Sequence, residues 1–502
     1  METKLTLPEE FLDRMKELLQ DECEEFVASY DRPRSYGLRR NPLKLDEEAF
    51  LRTVPFTLKK VPWAREGYYY DHEQRPGRHP LHEQGIYYIQ EPSAMVPVQI
   101  LDPKPGEIVL DLCAAPGGKT TMIAGRMQGE GLLIANEIVP GRAKILAQNV
   151  ERMGITNAIV CNHSPQELAE HFCGFFDRIV VDAPCSGEGM FHKEEAALTE
   201  WSADNVAHCA DRQREILPEA ISMLAEGGRL VYSTCTFAPQ ENEQIVAWIL
   251  AEYPQLEIEP IDAGAYGISP ARPDWAGQYA NNLSSARLSS ISGAARIWPH
   301  RCDGEGHFVA FFYKSGERRE TFVRGLSFQK VTEYVSRPEK TDGKKTKNRK
   351  KGKDNADADA WKLFEEFALQ YLTEIPVGKT VCFGDQIYLL PQDAPELKGL
   401  RVYRAGLHLG TVRSNRFEPS HALALALRPD QVKQTLDVSD VCRYLNGESV
   451  SSDSAQKGWL MVTYRGLPIG WGKASGGVVK NHYPKGLRRD LTGFFEGRDC
   501  KK

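Results

Sequence analysis

Two cysteines stand 50 positions apart, each inside a short motif that follows an apolar run. Asp182-Ala183-Pro184-Cys185-Ser186-Gly187 follows Arg178-Ile179-Val180-Val181, and Ser233-Thr234-Cys235-Thr236 follows Arg229-Leu230-Val231-Tyr232. Carbon 5 of cytosine is a poor nucleophile until a thiolate adds at carbon 6 and creates an enamine that attacks an electrophilic methyl. The proton on carbon 5 must then leave and the thiolate depart, so one cysteine serves for addition and a second beside it can act as base. Asp182 is suited to hydrogen-bond the ring nitrogen and exocyclic amine of the base. Lys119 can hold that carboxylate or lower a thiol pKa. Spacing alone does not say which cysteine attacks. Methylation of nitrogen or oxygen needs no covalent addition, so the paired thiols disfavour a small-molecule or protein methyltransferase.

A third motif lies upstream: Asp111-Leu112-Cys113-Ala114-Ala115-Pro116-Gly117-Gly118-Lys119-Thr120. Gly-Lys-Thr suggests a phosphate loop, but that loop needs a glycine where Cys113 stands. A dinucleotide G-x-G-x-x-G is also absent. What remains is a strand, a turn of small residues and a helix. Ala114, Ala115, Gly117 and Gly118 let the backbone approach a ligand at the carboxyl edge of a sheet. A following strand ends in Asn136-Glu137, where a carboxylate can grip two ribose hydroxyls, and Asn162 at the end of the next can read an adenine edge. A ribose grip without a phosphate cradle points to S-adenosyl-L-methionine.

These motifs need a scaffold that brings strand ends together. From about residue 105 the pattern alternates: strands over Glu107–Leu112, Leu132–Ala135, Ala158–Val160, Asp177–Val181 and Leu230–Ser233, and helices over Lys119–Met127, Gly141–Met153, Ala203–Leu224 and Glu241–Glu252. Strict alternation implies an α/β, doubly wound, mostly parallel sheet. Further strands are expected at Leu256–Ile258 and His307–Tyr313. Upstream, 7–30 reads as one amphipathic helix with Phe11, Met15, Leu18, Leu19, Cys23 and Phe26 on its apolar face. The Arg-rich segment 32–41 follows, interleaved with Tyr36 and later with Tyr68-Tyr69-Tyr70, a composition suited to RNA phosphates and unpaired bases.

Residues 337–353 carry nine Lys and Arg against two acids in a chain of net charge −6. With few apolar residues, this segment reads as a flexible linker able to track phosphates. A helix from Trp361 to Leu372 restarts order, and short strands with glycine turns then suggest a small, mostly β module ending in the basic stretch Lys473 to Arg489. The expected domains are 1–99, an N-terminal RNA-binding region; 100–315, the catalytic domain; 316–360, the linker; and 361–502, a second RNA-binding region.

The chain of 502 residues is 41% hydrophobic and 26% charged, which suits a globular protein of several domains. Its acidic balance argues against a coat of uniform positive charge. Eleven scattered cysteines without a C-x-x-C pair are neither a disulfide framework nor a metal ribbon, and free thiols fit a reducing cytoplasm. No apolar run is long enough for a transmembrane helix and no signal core opens the chain, so neither membrane nor metal is expected, and no heptad seam asks for anything beyond a monomer.

Taken together, the three motifs resemble the Nop/Sun family of RNA cytosine-5 methyltransferases. Supporting matches are Arg40-Asn41-Pro42-Leu43-Lys44, Tyr88-Ile89-Gln90-Glu91-Pro92-Ser93 and Asp303-Gly304-Glu305-Gly306-His307-Phe308, so the likeness spans about 38 to 313. The C-terminal region, with Arg416-Phe417-Glu418-Pro419-Ser420 and Gly470-Trp471-Gly472-Lys473, resembles the bacterial RsmF (YebU) branch, whose members carry a PUA-like RNA-binding module and methylate 16S rRNA. The resemblance implies a Rossmann-like class I methyltransferase in which Cys235 attacks and Cys185 assists release. It also implies a cofactor site made by Cys113, Ala114, Ala115, Pro116, Gly117, Gly118 and Lys119 with Glu137, Asn162 and Asp182. The family usually has Asp where Asn162 stands; Asn keeps an oxygen for an adenine amine but lacks the charge. The nearest alternatives are the same chemistry on tRNA or large-subunit rRNA, and a non-catalytic rRNA-binding assembly factor, which would have no need of Cys235 or Asp182.

Overall fold

Five apolar runs lie side by side as parallel strands: β1 (Ile108–Asp111), β2 (Leu132–Asn136), β3 (Ala158–Cys161), β4 (Phe176–Asp182) and β5 (Leu224–Thr234). Their order is β5-β4-β1-β2-β3. The computed structural model describes residues 5–334, without 319 and 321, and 351–489, without 415 and 453–455. Helices α1 (Gly118–Met127), α2 (Pro140–Arg152), α3 (Pro165–Phe172) and α4 (Ala203–Met223) connect the five strands, and α5 (Glu243–Glu252) follows β5. Because both faces of the sheet are covered, the strands are apolar throughout rather than alternating. Successive side chains still divide between two cores: Leu110, Ile134, Ile159 and Ile179 on one face, Val109, Leu133, Val160 and Val180 on the other.

Strand order reverses between β1 and β4, which opens a crevice at their carboxyl ends. The two strands end in Asp111 and Asp182, so the glycine turn and the first cysteine motif face each other there. Beyond β5 the sheet continues with β6 (His307–Lys314), antiparallel to it with Phe308 opposite Thr234.

The first expected helix is two, Glu9–Leu19 and Cys23–Ser29, broken at Gln20, whose φ of 50° no α-helix accepts. Phe11, Met15, Leu19 and Phe26 nevertheless share one buried cluster, with Phe191, Phe237 and Trp298. The N-terminal region also holds a four-stranded antiparallel sheet that sequence reading did not anticipate: Leu58–Lys60, Gly67–Tyr70, Gly37–Arg40 and Tyr87–Ile89, in that order.

Of the segment expected as a linker, 335–350 lies outside the described residues. Ser327–Lys330 pairs with Glu374–Val377, and the next helix runs Lys351–Tyr371, ten residues earlier than the sequence pattern suggests. Two sheets follow, a four-stranded one from Lys379 to Pro419 and a five-stranded one built around Gly458–Tyr464 and Leu467–Ser475. Between strands of the first, β7 (Val402–Ala405) leaves to pair antiparallel with β3 and cover the free edge of the parallel sheet. No helix among the described residues is long and apolar enough to cross a membrane.

Candidate active site

β1 ends in Asp111, fully buried, with one carboxyl oxygen accepting from Thr120 Oγ1 at 2.6 Å and the other without a partner. Burial pushes its carboxyl up to about 7. The chain then turns through Cys113–Pro116 to Gly117, whose φ of +115° suits glycine, and α1 begins. Neighbours fix the turn from outside. Arg142 donates to the Ala115 carbonyl at 2.8 Å, Asn149 to that of Pro116 at 2.8 Å, and Ala114 N–H to that of Asn136 at 2.8 Å. Arg39, from the N-terminal sheet, donates to Gly118 O at 3.1 Å, Thr121 Oγ1 at 2.7 Å and Gln90 Oε1 at 3.0 Å. It is 1% exposed, so this arginine of the basic segment is a strut of the turn and not a surface charge.

Glu137, just beyond β2, is buried; its carboxylate accepts from Val139 N–H at 2.9 Å and lies 3.6 Å from Arg142. Asn162, just beyond β3, spends its amide nitrogen on the carbonyls of Glu137 at 2.6 Å and Ile138 at 2.9 Å. Its own main chain is held from the C-terminal half. Asn162 N–H donates to Arg401 O at 3.0 Å, Arg401 Nε donates to Asn162 O at 2.8 Å, and Arg401 N–H donates to His163 Nε2 at 2.7 Å.

The two thiols converge. Cys185 Sγ and Cys235 Sγ lie 3.3 Å apart, and Cys235 N–H points at Cys185 Sγ at 3.4 Å. The hydrogen bond with Cys235 and burial push the Cys185 thiol well up, so Cys185 stays protonated. The loop around Cys185 is clamped by residues that sequence reading missed. Glu241, fully buried, accepts from Ser186 N–H at 3.0 Å, Ser186 Oγ at 2.5 Å and Gln213 Nε2 at 2.9 Å, and Gln213 also donates to Pro184 O at 3.0 Å.

Asp182 is the polar centre. Its Oδ2 is 2.5 Å from Lys119 Nζ, and its Oδ1 accepts from Ser233 Oγ at 2.8 Å. Burial alone would raise this carboxyl, but Lys119 and His307 outweigh it and hold the group well below the usual carboxylate range. It is a carboxylate throughout the physiological range.

A cleft of about 420 Å³ joins these parts. Cys113–Pro116, Gly118, Lys119, Asp182 and Cys235 line it together with Arg34, Tyr36, Tyr70 and Tyr88 of the N-terminal region. Cys185, Gly117, Glu137 and Asn162 are not part of that lining. Of the segment expected to meet RNA, Arg34 and Tyr36 do reach the cleft, with the guanidinium 5.2 Å from the tyrosine ring. Arg40 instead donates to Leu45 O, and Tyr68 is buried with its hydroxyl on Glu47. In the C-terminal basic stretch, Lys473 and Lys480 face each other across two strands, with Lys473 5.4 Å from the Trp459 ring, while Arg489 pairs with Glu83 at 3.1 Å.

Comparison with known proteins gives a consistent picture. Residues 98–313 match a family model described as 16S rRNA methyltransferase RsmB/F, and residues 7–92 the N-terminal domain of 16S rRNA methyltransferase RsmF. Residues 366–427 match the RsmF first C-terminal domain, and 432–489 the RsmF PUA domain. The chain is 32% identical to ribosomal RNA small subunit methyltransferase F of Enterobacter sp. (strain 638), covering 96% of each chain. It is 30% identical to that of Psychromonas ingrahamii, over 99% of this chain and all of the relative. Among solved structures, a methyltransferase homologue from Pyrococcus horikoshii aligns with a TM-score of 0.53 at 32% identity, over 62% of this chain and 96% of its own. NSun6 from the same organism, solved with SFG, shares the fold at a TM-score of 0.52 and 20% identity, over 63% of this chain and 100% of its own.

Proposed function

From a chain that belongs to the RsmB/F family of 16S rRNA methyltransferases, we infer an enzyme that forms 5-methylcytosine in 16S rRNA through a covalent cysteine–cytosine intermediate, with S-adenosyl-L-methionine as methyl donor. The observation that carries this reading is the pair of sulfurs 3.3 Å apart beside a carboxylate held by a lysine. Nitrogen or oxygen methylation has no use for two convergent thiols.

The residues suit the cofactor. A turn of small residues, a buried ribose-side carboxylate at Glu137 and an unpartnered buried oxygen on Asp111 offer shape and polar contacts without a phosphate cradle. When bound, the cofactor supplies an electrophilic methyl on a sulfonium. Cys113–Lys119 and Glu137 orient it, and Asn162 keeps a side-chain oxygen for the adenine amine.

In this reading Cys235 is the nucleophile: it lines the cleft with Asp182 and Lys119, and the resemblance to the Nop/Sun family gives the attack to the second cysteine motif. The Cys235 thiolate, hydrogen-bonded by the Cys185 thiol, adds to carbon 6. Asp182 accepts from the cytosine amine, and Lys119 fixes that carboxylate. The electron pair that collects at carbon 5 takes the methyl. Once the Cys235 sulfur is bonded to carbon, it no longer accepts the hydrogen bond that raises the Cys185 thiol, and Cys185 becomes easier to deprotonate. Cys185 loses its proton to solvent, takes the proton from carbon 5, and the bond from carbon 6 to sulfur breaks to return the Cys235 thiolate.

Transfer of labelled methyl from S-adenosyl-L-methionine to separated RNAs tests this directly. The expected result is label in small-subunit rRNA; label confined to tRNA or large-subunit rRNA would keep the chemistry and overturn the substrate, and label nowhere would overturn both.

A further inference from the structure

His307 opens β6 in the register that sets Phe308 opposite Thr234, which brings it beside the end of β5 where Cys235 begins. Its side chain is buried, yet it lines the cleft together with Asp182, Lys119 and Cys235. The Nε2 atom makes no hydrogen bond. Its charged neighbour is Asp182 Oδ1 at 3.5 Å, an oxygen already accepting from Ser233. An unmet buried polar atom costs about 1–3 kcal/mol, so such atoms are rare unless a ligand completes them.

The pair has a definite polarity. Asp182 Oδ1 is an acceptor. Nε2, facing a carboxylate, carries its hydrogen and is a donor. An acceptor and a donor side by side complement the amine and the adjacent ring nitrogen N3 of cytosine, which are a donor and an acceptor. Uracil presents the reverse, a carbonyl oxygen and an N3–H, and would set like against like at both positions.

We propose that His307 reads the target base, donating from Nε2 to N3 of cytosine while Asp182 accepts from the exocyclic amine. The proposal rests on the reading of this cleft as a cytosine-5 methyltransferase site. As the Cys235 thiolate adds at carbon 6, negative charge spreads to N3, so this hydrogen bond strengthens in the transition state and acts on kcat. No proton leaves His307, which ends the cycle as it began.

The test uses the full chain, small ribosomal subunits from cells lacking the gene, and labelled S-adenosyl-L-methionine. His307→Phe keeps the ring volume and removes both nitrogens; His307→Gln keeps a donor close to Nε2. The Phe variant is expected to lose about ten- to a hundredfold in kcat while its KM for the cofactor stays within about twofold, and Gln to recover part of the loss. A Phe variant within about twofold of wild-type kcat, or a Gln variant no faster than Phe, overturns the proposal. A wild-type chain that methylates no cytosine sinks the underlying function instead, which separates the two failures.

Discussion

Arg401 and Asn162, 239 positions apart, are bonded main chain to side chain and main chain to main chain, at 2.8 and 3.0 Å. The C-terminal half thereby reaches the loop on the adenine side of the proposed cofactor site. Arg401 also pairs with Glu167 on α3, so its guanidinium ties the start of that helix to the same loop. Arg401→Ala removes the side-chain bonds and leaves the strand pairing of β7. It is expected to weaken S-adenosyl-L-methionine binding by about five- to tenfold, or about 1 kcal/mol, in a calorimetric titration. An unchanged affinity would mean that the C-terminal half only covers the sheet edge.

The order of the two thiols has its own signature. Cys235→Ala should neither turn over nor bond to RNA. Cys185→Ala should still add to carbon 6 but fail to release, and a ribonuclease-sensitive protein–RNA species should accumulate on a denaturing gel. An adduct in Cys235→Ala would reverse the assignment.

Arg39 connects the N-terminal sheet to the cofactor turn through two hydrogen bonds, to Gly118 O and Thr121 Oγ1, and holds Gln90 with a third. Arg39→Ala would leave Gln90 Oε1 without its donor beside a new cavity, and should cost about 2–4 kcal/mol of stability. Thermal unfolding of the purified variant checks this, and a melting temperature equal to that of the wild type would contradict it.

Glu241 makes stability depend on pH. Burial raises its carboxyl to about 7, against about 4.3 for a glutamate in an unfolded chain. The folded state therefore holds the proton more tightly. The stability this lends is complete below the unfolded value and lost as pH rises through about 7. Glu241→Gln removes the titration. Relative to the wild type, the variant should gain on the order of 3 kcal/mol between about pH 4 and pH 8 in denaturant unfolding. Parallel pH curves for the two proteins would refute this.

The sequence carried the catalytic sheet and its motifs because both rest on local signals. Apolar runs of strand length alternate with helical periods, and each motif sits just past a run, as at Val181 and Tyr232. What it did not carry depends on pairing at long range. The N-terminal sheet is built of strands three or four residues long that pair across gaps as wide as 50 positions, as Leu38 does with Ile89. Strand β7 is four residues whose partner edge on β3 lies some 240 positions away. Arg39 looked like surface charge because composition does not reveal burial. His307 lay within a recognised motif segment and Glu241 at the start of an expected helix, and their roles emerged only once β6 and the Ser186 loop were placed beside the thiols. Asn162 was picked out correctly as a strand-end residue, but its amide nitrogen proves to hold the Glu137 backbone.

The central claim is that this chain makes 5-methylcytosine in 16S rRNA. Bisulfite mapping of rRNA and tRNA from cells with and without the gene tests it most directly. The account predicts that at least one cytosine of 16S rRNA resists conversion when the gene is present, converts when it is absent, and resists again on complementation with the wild-type gene but not with Cys235→Ala. Identical maps with and without the gene would contradict it.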